Sequence, residues 1–118
     1  MTTMTNYKRI LVAEYFVDFR KSHDGLLAEA RKNNSDPFLG DVIVFLSRSR
    51  RKIKVLYADK TGLWLSSKRF SAGSIKTKLN FLMEHSVKEV TTAELSMLLE
   101  GNEYFVTKKA KEWEMTLS

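Results

Sequence analysis

The sequence has no cysteine, a single proline and no long apolar run. Without cysteine the chain cannot form a disulfide, use thiol catalysis or bind zinc through thiolates, and we expect the protein in the reducing cytoplasm. No apolar run approaches the roughly 20 residues that a membrane-spanning helix needs, so we predict no membrane partner. Residues 1–16 contain Glu14 and lack a small-residue cleavage site, so we interpret them as leading into a first strand and not as a signal peptide.

Motifs for catalysis and for cofactor or metal binding are missing as well. The sequence has no glycine-rich phosphate loop, no Ser-His-Asp order and no metal-ligand spacing. We therefore predict no cofactor, no metal and no catalytic residue. A metal-dependent nuclease is an alternative. Such an enzyme needs carboxylates within about 4 Å of each metal, and the sequence contains acidic residues that could supply them. The candidates for such a site are Glu14, Asp18, Asp24, Asp36, Asp41 and Asp59.

Positive charge is abundant and unevenly distributed. The net charge is +6, yet residues 42–80 hold ten of the twenty Lys and Arg residues and only one of the fourteen acids. Such a basic segment is typical of a protein that binds a polyanion. The alternative is that these charges only solvate the surface, because Lys and Arg favour exposed turns in any protein.

The middle of the chain predicts an antiparallel β-meander with strands at Val42–Leu46, Ile53–Tyr57 and Leu63–Ser67. The first run is apolar and β-branched, and the second alternates apolar with polar residues. Gly62 closes the second turn, where we expect a positive φ. The first turn is a cluster of cations. Our candidate DNA-binding residues are those cations, one on the following strand and two after the third strand: Arg48, Arg50, Arg51, Lys52, Lys54, Lys68 and Arg69.

The segment before the meander predicts a strand, a helix and a loop. Tyr7–Phe16 suits a strand, and Asp18 lies where an N-cap belongs before the helical periodicity of residues 19–34. In the loop that follows, Phe38 and Leu39 are available to pack into the core. One exposed helix face is a candidate protein-interaction surface, formed by Asp18, Arg20, Lys21 and Asp24.

The segment after the meander is less regular. Residues 75–83 alternate as a strand would, although helical spacing also fits part of them. Ala93–Glu100 predicts a helix with a threonine N-cap and with Gly101 at C′. The tail, residues 102–118, is either a docked helix or frayed. Strands between flanking helices predict one α+β domain, a small antiparallel β-meander with flanking helices, over the whole chain.

Aromatic residues lie among the cations, at Phe38, Tyr57, Trp64 and Phe70. Aromatic rings beside cations suit the stacking of nucleic-acid bases. Core packing in a small sheet explains the same residues and is the interpretation we favour. If Trp64 lies on the outer face of its strand, it is outside the core and available for stacking.

A series of residues with characteristic order and spacing extends over residues 12–101. It contains D-x-R-K-x-x-D-G-L from Asp18, D-P-F-x-G from Asp36, K-R-F from Lys68 and L-S-x-L-L-E-G from Leu95. The series resembles the transposon accessory protein TnpB of the insertion-sequence-sixty-six type, the product of the element's second reading frame.

The resemblance implies a small non-catalytic protein, encoded beside a separate DDE-type transposase and needed for efficient transposition. We expect one or both of two roles. The protein binds DNA, transposon ends in particular, through the basic hairpin, and it assists the transposase of the same element. The alternative is a pure protein-interaction module that docks on the transposase without DNA contact. A homodimer is a further possibility, because an open edge strand of the meander could pair with a second chain.

Overall fold

The computed structural model describes residues 7–75 and 86–101, which form a five-stranded sheet with one helix on each face. The strands are β1 (Arg9–Phe16), β2 (Asp41–Leu46), β3 (Lys52–Ala58), β4 (Leu63–Arg69) and β5 (Val87–Val90). The helices are α1 (His23–Lys32) and α2 (Thr92–Leu99), and a 3₁₀ turn lies at Pro37–Leu39. The predicted α+β class is confirmed.

The strand order in the sheet is β4-β3-β2-β1-β5. The antiparallel meander β2–β3–β4 is confirmed, with Val44 opposite Val55 and Ile53 opposite Lys68. A purely antiparallel sheet is an incomplete description, because β1 pairs with β2 in parallel and with β5 in antiparallel. Helix α1 supplies the crossover that two parallel strands require. In the described sheet β4 and β5 are the edges, and pairing with a second chain stays a prediction.

The core consists of two apolar clusters, one on each face of the sheet. On the face covered by α2, Leu95 and Leu98 join the inward residues of the strands, such as Val44. On the face covered by α1, Leu26 packs with Phe45 and with the other residues that point that way. Every residue of β2 is buried. Coverage on both faces explains why β2 is apolar at every position after Asp41.

Helix α1 begins later than the sequence indicates. Its first residue is His23 and its N-cap is Ser22, so the prediction of an Asp18 N-cap is wrong. Asp18 instead accepts hydrogen bonds from the backbone N–H and the guanidinium of Arg20. That local pairing makes Asp18 part of a turn between β1 and α1, because Asp side chains favour turns that compete with helix formation.

Helix α2 has the predicted caps, and its bounds, Thr92–Leu99, lie one residue before the predicted ones. The Thr91 hydroxyl accepts a hydrogen bond from the backbone N–H of Glu94, and the Glu94 carboxylate accepts one from the N–H of Thr91. This is a capping box. Gly101 follows the helix with a φ of 75°, which is the left-handed conformation expected at C′. Strand β5, which precedes the helix, is absent from the sequence-based prediction.

Two loop predictions are wrong. Phe38 and Leu39 do not enter the core, since they are 52% and 73% exposed. Gly62 does not have a positive φ. The Asp59 carboxylate organises that turn instead, accepting hydrogen bonds from the indole of Trp64 and the backbone N–H groups of residues 61 and 62. These bonds, the indole bond foremost, lower the pKa of Asp59 to about 2.

Some predictions fall outside the described residues. The strand expected at residues 75–83 does so except for Ile75, and so does the tail, residues 102–118. Within the described ranges no helix has the length and apolar character needed to cross a membrane.

Candidate nucleic-acid interface

The carboxyl ends of β1 and β2 open at the same edge of the sheet because the two strands are parallel. After β1 the chain makes the turn of residues 17–21, and after β2 it makes the hairpin tip, residues 47–52. The N–H of Val17 donates to the carbonyl of Leu46 at 3.3 Å, which holds the two segments together. The basic hairpin and the proposed protein-interaction residues, treated as rival sites in the sequence, are therefore neighbours.

Ser47 shapes the hairpin tip. Its backbone N–H donates to the carbonyl of Lys52 at 3.1 Å, and its hydroxyl accepts from the N–H of Lys52 at 3.1 Å. Its carbonyl accepts from the N–H of Arg50, a residue in the left-handed conformation with φ 60°. A turn whose backbone is bonded internally presents its side chains in a defined arrangement, and the side chains of Arg48, Arg51 and Lys52 are exposed.

Two of the tip cations gather around one aromatic ring. The guanidinium carbons of Arg48 and Arg50 lie 5.8 Å and 5.7 Å from the ring centroid of Phe16, the last residue of β1. Both distances are within the range of a cation–π interaction, which contributes about 0.5–1 kcal/mol at an exposed site. The ring therefore anchors two positive charges at the carboxyl end of β1.

The tip cations meet Arg69 across the sheet. Lys52 at the start of β3 lies opposite Arg69 at the end of β4, and both are exposed. Like charges in opposite positions are unfavourable in a sheet unless something neutralises them. We define the exposed cation cluster as Arg48, Arg51, Lys52 and Arg69. Among the described residues, no carboxylate lies within 4.0 Å of any of the four.

Lys54 and Lys68 have partners inside the protein. The Lys54 ammonium donates to the carbonyls of Phe19 and Lys21 at 2.8 Å and 2.9 Å, so it fastens β3 to the turn after β1. The Lys68 ammonium donates to the carbonyl of Leu99 at 2.5 Å. A cation is favourable there, because the last carbonyls of a helix carry partial negative charge. DNA contact by these two lysines stays a prediction.

The proposed protein-interaction residues do not form one helix face, because three of the four precede α1. Asp18 and Arg20 pair with each other at 2.6 Å in the turn, and the Arg20 side chain is 91% exposed. The hydrogen bond from the Arg20 guanidinium is the main reason that the pKa of Asp18 falls to about 2. Lys21 lies beside them in the turn, and Asp24 is exposed in the first turn of α1.

A buried polar network fixes this turn to α1. The Glu29 carboxylate accepts from the Lys21 ammonium at 2.8 Å and from the Tyr15 hydroxyl at 3.0 Å, and the Asn33 amide donates to that hydroxyl at 2.6 Å. Burial alone would raise the pKa of Glu29, but the hydrogen bonds from Lys21 and Tyr15 outweigh it and lower the pKa. Burial raises the pKa of Tyr15 to about 12.

A cleft of about 400 Å³ opens between the turn and the hairpin tip. It is lined by Phe16, Val17, Asp18, Phe19, Ser47 and Arg48. Neither Phe16 nor Phe19 is among the residues predicted from the sequence. The crossover between the parallel strands brings these two rings next to the hairpin tip. In the sequence, the apolar run of β1 followed by a helix is the signal that could have indicated this parallel crossover.

The four aromatic residues singled out in the sequence lie elsewhere. Tyr57 and Phe70 are buried. Trp64 is 41% exposed and stacks on Tyr57 with ring centroids 6.2 Å apart, next to Asp59 at the opposite end of the sheet from the hairpin tip. Phe38 is exposed in the 3₁₀ turn before β2. None of the four lines the cleft.

Five of the six carboxylates considered for a nuclease, all except Asp24, accept hydrogen bonds from within the described residues. Asp36 accepts from the N–H of Phe38, where it caps the 3₁₀ turn, and Asp41 accepts from the guanidinium of Arg9. In the part of the chain that the structure describes, no three His, Asp or Glu side chains are placed to hold a metal ion.

Comparison with known proteins places these features in a family. A family model described as "IS66 Orf2 like protein" matches residues 8–109. The chain belongs to this family. The description of the family refers to the second open reading frame of the insertion sequence IS66.

A similar protein is known from Sinorhizobium fredii (strain NBRC 101917 / NGR234), where it is called uncharacterized protein y4jC. The two chains are 36% identical over 66 residues, which is 55% of this chain and 56% of that protein, so the similarity spans little more than half of either. No solved structure matches the IS66 Orf2-like chain.

Proposed function

We propose that this protein assists transposition by binding DNA through its exposed cation cluster and by holding that DNA for the transposase of the same element. The observation that carries the proposal is the set of exposed cations at one end of the sheet with no carboxylate in ion-pair distance among the described residues. A DNA backbone supplies the missing negative charge at a regular spacing.

Within the cluster, Arg48, Arg51 and Arg69 carry planar guanidinium groups that can donate two parallel hydrogen bonds to one phosphate. Lys52 adds a fourth point of contact, and Arg50 lies beside Arg48 on the Phe16 ring. Lys54 and Lys68 add positive charge near the cluster without contacting phosphates directly, since each ammonium group is already bonded to backbone carbonyls. Backbone contacts of this kind position DNA and carry little sequence information.

The alternative is a protein-interaction module that docks on the transposase through the residue 18–24 segment. One observation favours it: Asp18 and Arg20 neutralise each other, so this part of the turn presents polar groups without net charge. A surface of that kind suits a protein partner better than a phosphate backbone. In this alternative the exposed cation cluster only solvates the hairpin tip.

Fluorescence anisotropy on labelled transposon-end DNA and scrambled DNA, with and without the transposase, separates the two functions. The key variant is Arg51→Glu with Lys52→Glu. Its control is Lys60→Glu, which changes an exposed lysine in the turn at the other end of the sheet. We expect the double variant to lose binding to both DNAs and the control to retain it.

Tighter binding to end DNA than to scrambled DNA would add a recognition role. If the protein alone binds no DNA, yet the transposase binds DNA more tightly in its presence, the protein-interaction module is correct. Unchanged DNA affinity in the double variant would contradict the proposed use of the hairpin tip.

A further inference from the structure

We propose that the cleft between the turn after β1 and the hairpin tip binds an unpaired nucleotide, so that the protein prefers single-stranded or locally opened DNA to intact duplex. This inference rests on the proposed function, because the cations around the cleft must first hold the DNA backbone. It adds the class of DNA and a binding site for the base.

The cleft has the size and lining that a base requires. Its volume of about 400 Å³ lies within the range of small-molecule sites, roughly 300–1,000 Å³. Two of its six lining residues, Phe16 and Phe19, are aromatic. The guanidinium groups of Arg48 and Arg50 lie over the Phe16 ring and the Lys54 ammonium lies 5.0 Å from the Phe19 ring centroid, so an entering base shares these rings with cations. Bases stack on aromatic side chains with little regard to sequence, because every base has a π-face.

Cations stand where the phosphates of an inserted nucleotide would be. Arg48 lines the cleft, and Arg50 lies within 5.7 Å of the same Phe16 ring. A guanidinium can donate to phosphate oxygens, and its plane can also stack on a base. The Asp18 carboxylate in the lining adds little repulsion, since it is paired with Arg20 at 2.6 Å.

The walls of the cleft are held in place before any ligand arrives. Val17 is bonded to Leu46, and Lys54 is bonded to the carbonyls of Phe19 and Lys21. Lys21 is bonded in turn to the buried Glu29. A site that is already formed loses little conformational entropy when it binds, which favours affinity.

Intact duplex cannot use such a site. In B-form DNA the faces of the bases are stacked on their neighbours, and a base must leave the stack to enter a protein pocket. Duplex would therefore contact only the exposed cations, whereas a single strand would contact the cations and the phenyl rings. The difference between the two affinities reports on the cleft.

The test compares a short labelled single strand with the blunt duplex of the same sequence, in the full-length protein. Phe19→Leu removes the ring and keeps an apolar side chain against α1. Phe19→Tyr keeps the ring, and Phe38→Leu is the matched control because Phe38 is exposed and remote from the cleft. We expect Phe19→Leu to weaken single-strand binding about 5- to 150-fold, the range for one stacked base, while duplex binding is unchanged.

The tyrosine variant should bind like the parent, and the Phe38 control should change neither affinity. A second measurement uses the unaltered protein and a single strand that carries 2-aminopurine, whose fluorescence depends on how the base is stacked. We expect a change in fluorescence at saturation that the same base in duplex does not show.

Equal affinity for both DNAs, or no change in the 2-aminopurine fluorescence, overturns the cleft as a nucleotide site. If duplex binding is still salt-sensitive in that case, the proposed function stands without this inference. If neither DNA binds, the proposed function itself fails. An equal loss of both affinities in Phe19→Leu assigns the ring a structural role and also overturns the inference.

Discussion

The salt dependence of duplex binding can be worked out from the exposed cation cluster. Arg48, Arg51, Lys52 and Arg69 have no carboxylate in ion-pair distance among the described residues. If each neutralises one phosphate, the slope of log affinity against log salt is about −3.6, since each contact releases about 0.9 counterion. Replacing Arg51 and Lys52 by Gln halves the number of contacts and should change the slope to about −1.8.

These slopes predict large differences between conditions. Between about 50 mM and 200 mM salt, the parent protein should lose about 150-fold in affinity and the double variant only about 12-fold. Glutamine is a suitable replacement because it keeps an unbranched, polar side chain, shorter than that of Arg or Lys, and removes the charge. At low salt the variant should therefore bind more weakly than the parent, and at high salt the two should approach each other.

Anisotropy titrations at several salt concentrations measure both slopes directly. Lys60→Gln is the control, since it removes one exposed charge from the opposite end of the sheet and should leave the slope near the parent value. The reasoning is refuted if the double variant keeps the parent slope. It is also refuted if Lys60→Gln makes the slope shallower by as much per removed charge as the double variant does. That result would mean that DNA affinity depends on the net charge of the protein and not on the position of the charges.

Three further predictions concern stability. Glu29→Gln weakens the buried network behind the turn and should lower the free energy of unfolding by about 1–2 kcal/mol, seen as a lower urea midpoint at unchanged slope. Gly101→Ala places a residue at φ 75° with its Cβ 3.2 Å from Phe70, and should cost about 1–2 kcal/mol in the same assay. Burial would raise the pKa of Asp41, but the hydrogen bond from Arg9 outweighs it and the pKa is lowered. Stability from this pair is present above the unfolded-state pKa and lost as the pH falls, so Asp41→Asn should flatten the decline in stability below about pH 5. An equally steep acid decline in Asp41→Asn would contradict that assignment.

The parts of the fold that the sequence predicts are those with local signals. The alternation of Ile53 and Val55 with polar neighbours sets the faces of β3, and the short turns leave an antiparallel meander as the simplest connection. The capping box between Thr91 and Glu94 marks the start of α2 within four residues of chain. Such patterns depend on neighbours in the sequence, so they can be interpreted without the tertiary structure.

The parts that the sequence does not predict depend on distant partners. Strand β5 is four residues long and exists because it pairs with β1, for which no signal lies nearby in the chain. The start of α1 differs because Asp18 binds Arg20 instead of the helix N-terminus. The parallel pairing of β1 with β2 requires a whole crossover, and periodicity within either strand does not reveal it.

The same distinction applies to the candidate site. Composition locates the cations, but whether Lys54 points to solvent or to the turn after β1 depends on how that turn packs. Phe16 and Phe19 have the apolar character of ordinary core residues, and only the arrangement of β1 beside β2 brings them next to the hairpin tip. Contacts between segments thus determine which of the charged and aromatic residues share a surface.

The position of β1 in the sheet also has a consequence for the order of folding. Residues that pair within the meander, such as Ile43 with Leu56, are close in the chain, whereas Ile10 pairs with Val90 near the other end of the described residues. Closing a short loop costs less entropy than closing a long one, and contacts of low sequence separation form faster. We expect the cationic hairpin to form early during folding and the aromatic cleft to be completed only when β1 docks. During folding after synthesis, the chain would thus arrange the cations of the hairpin tip before the cleft beside them is complete.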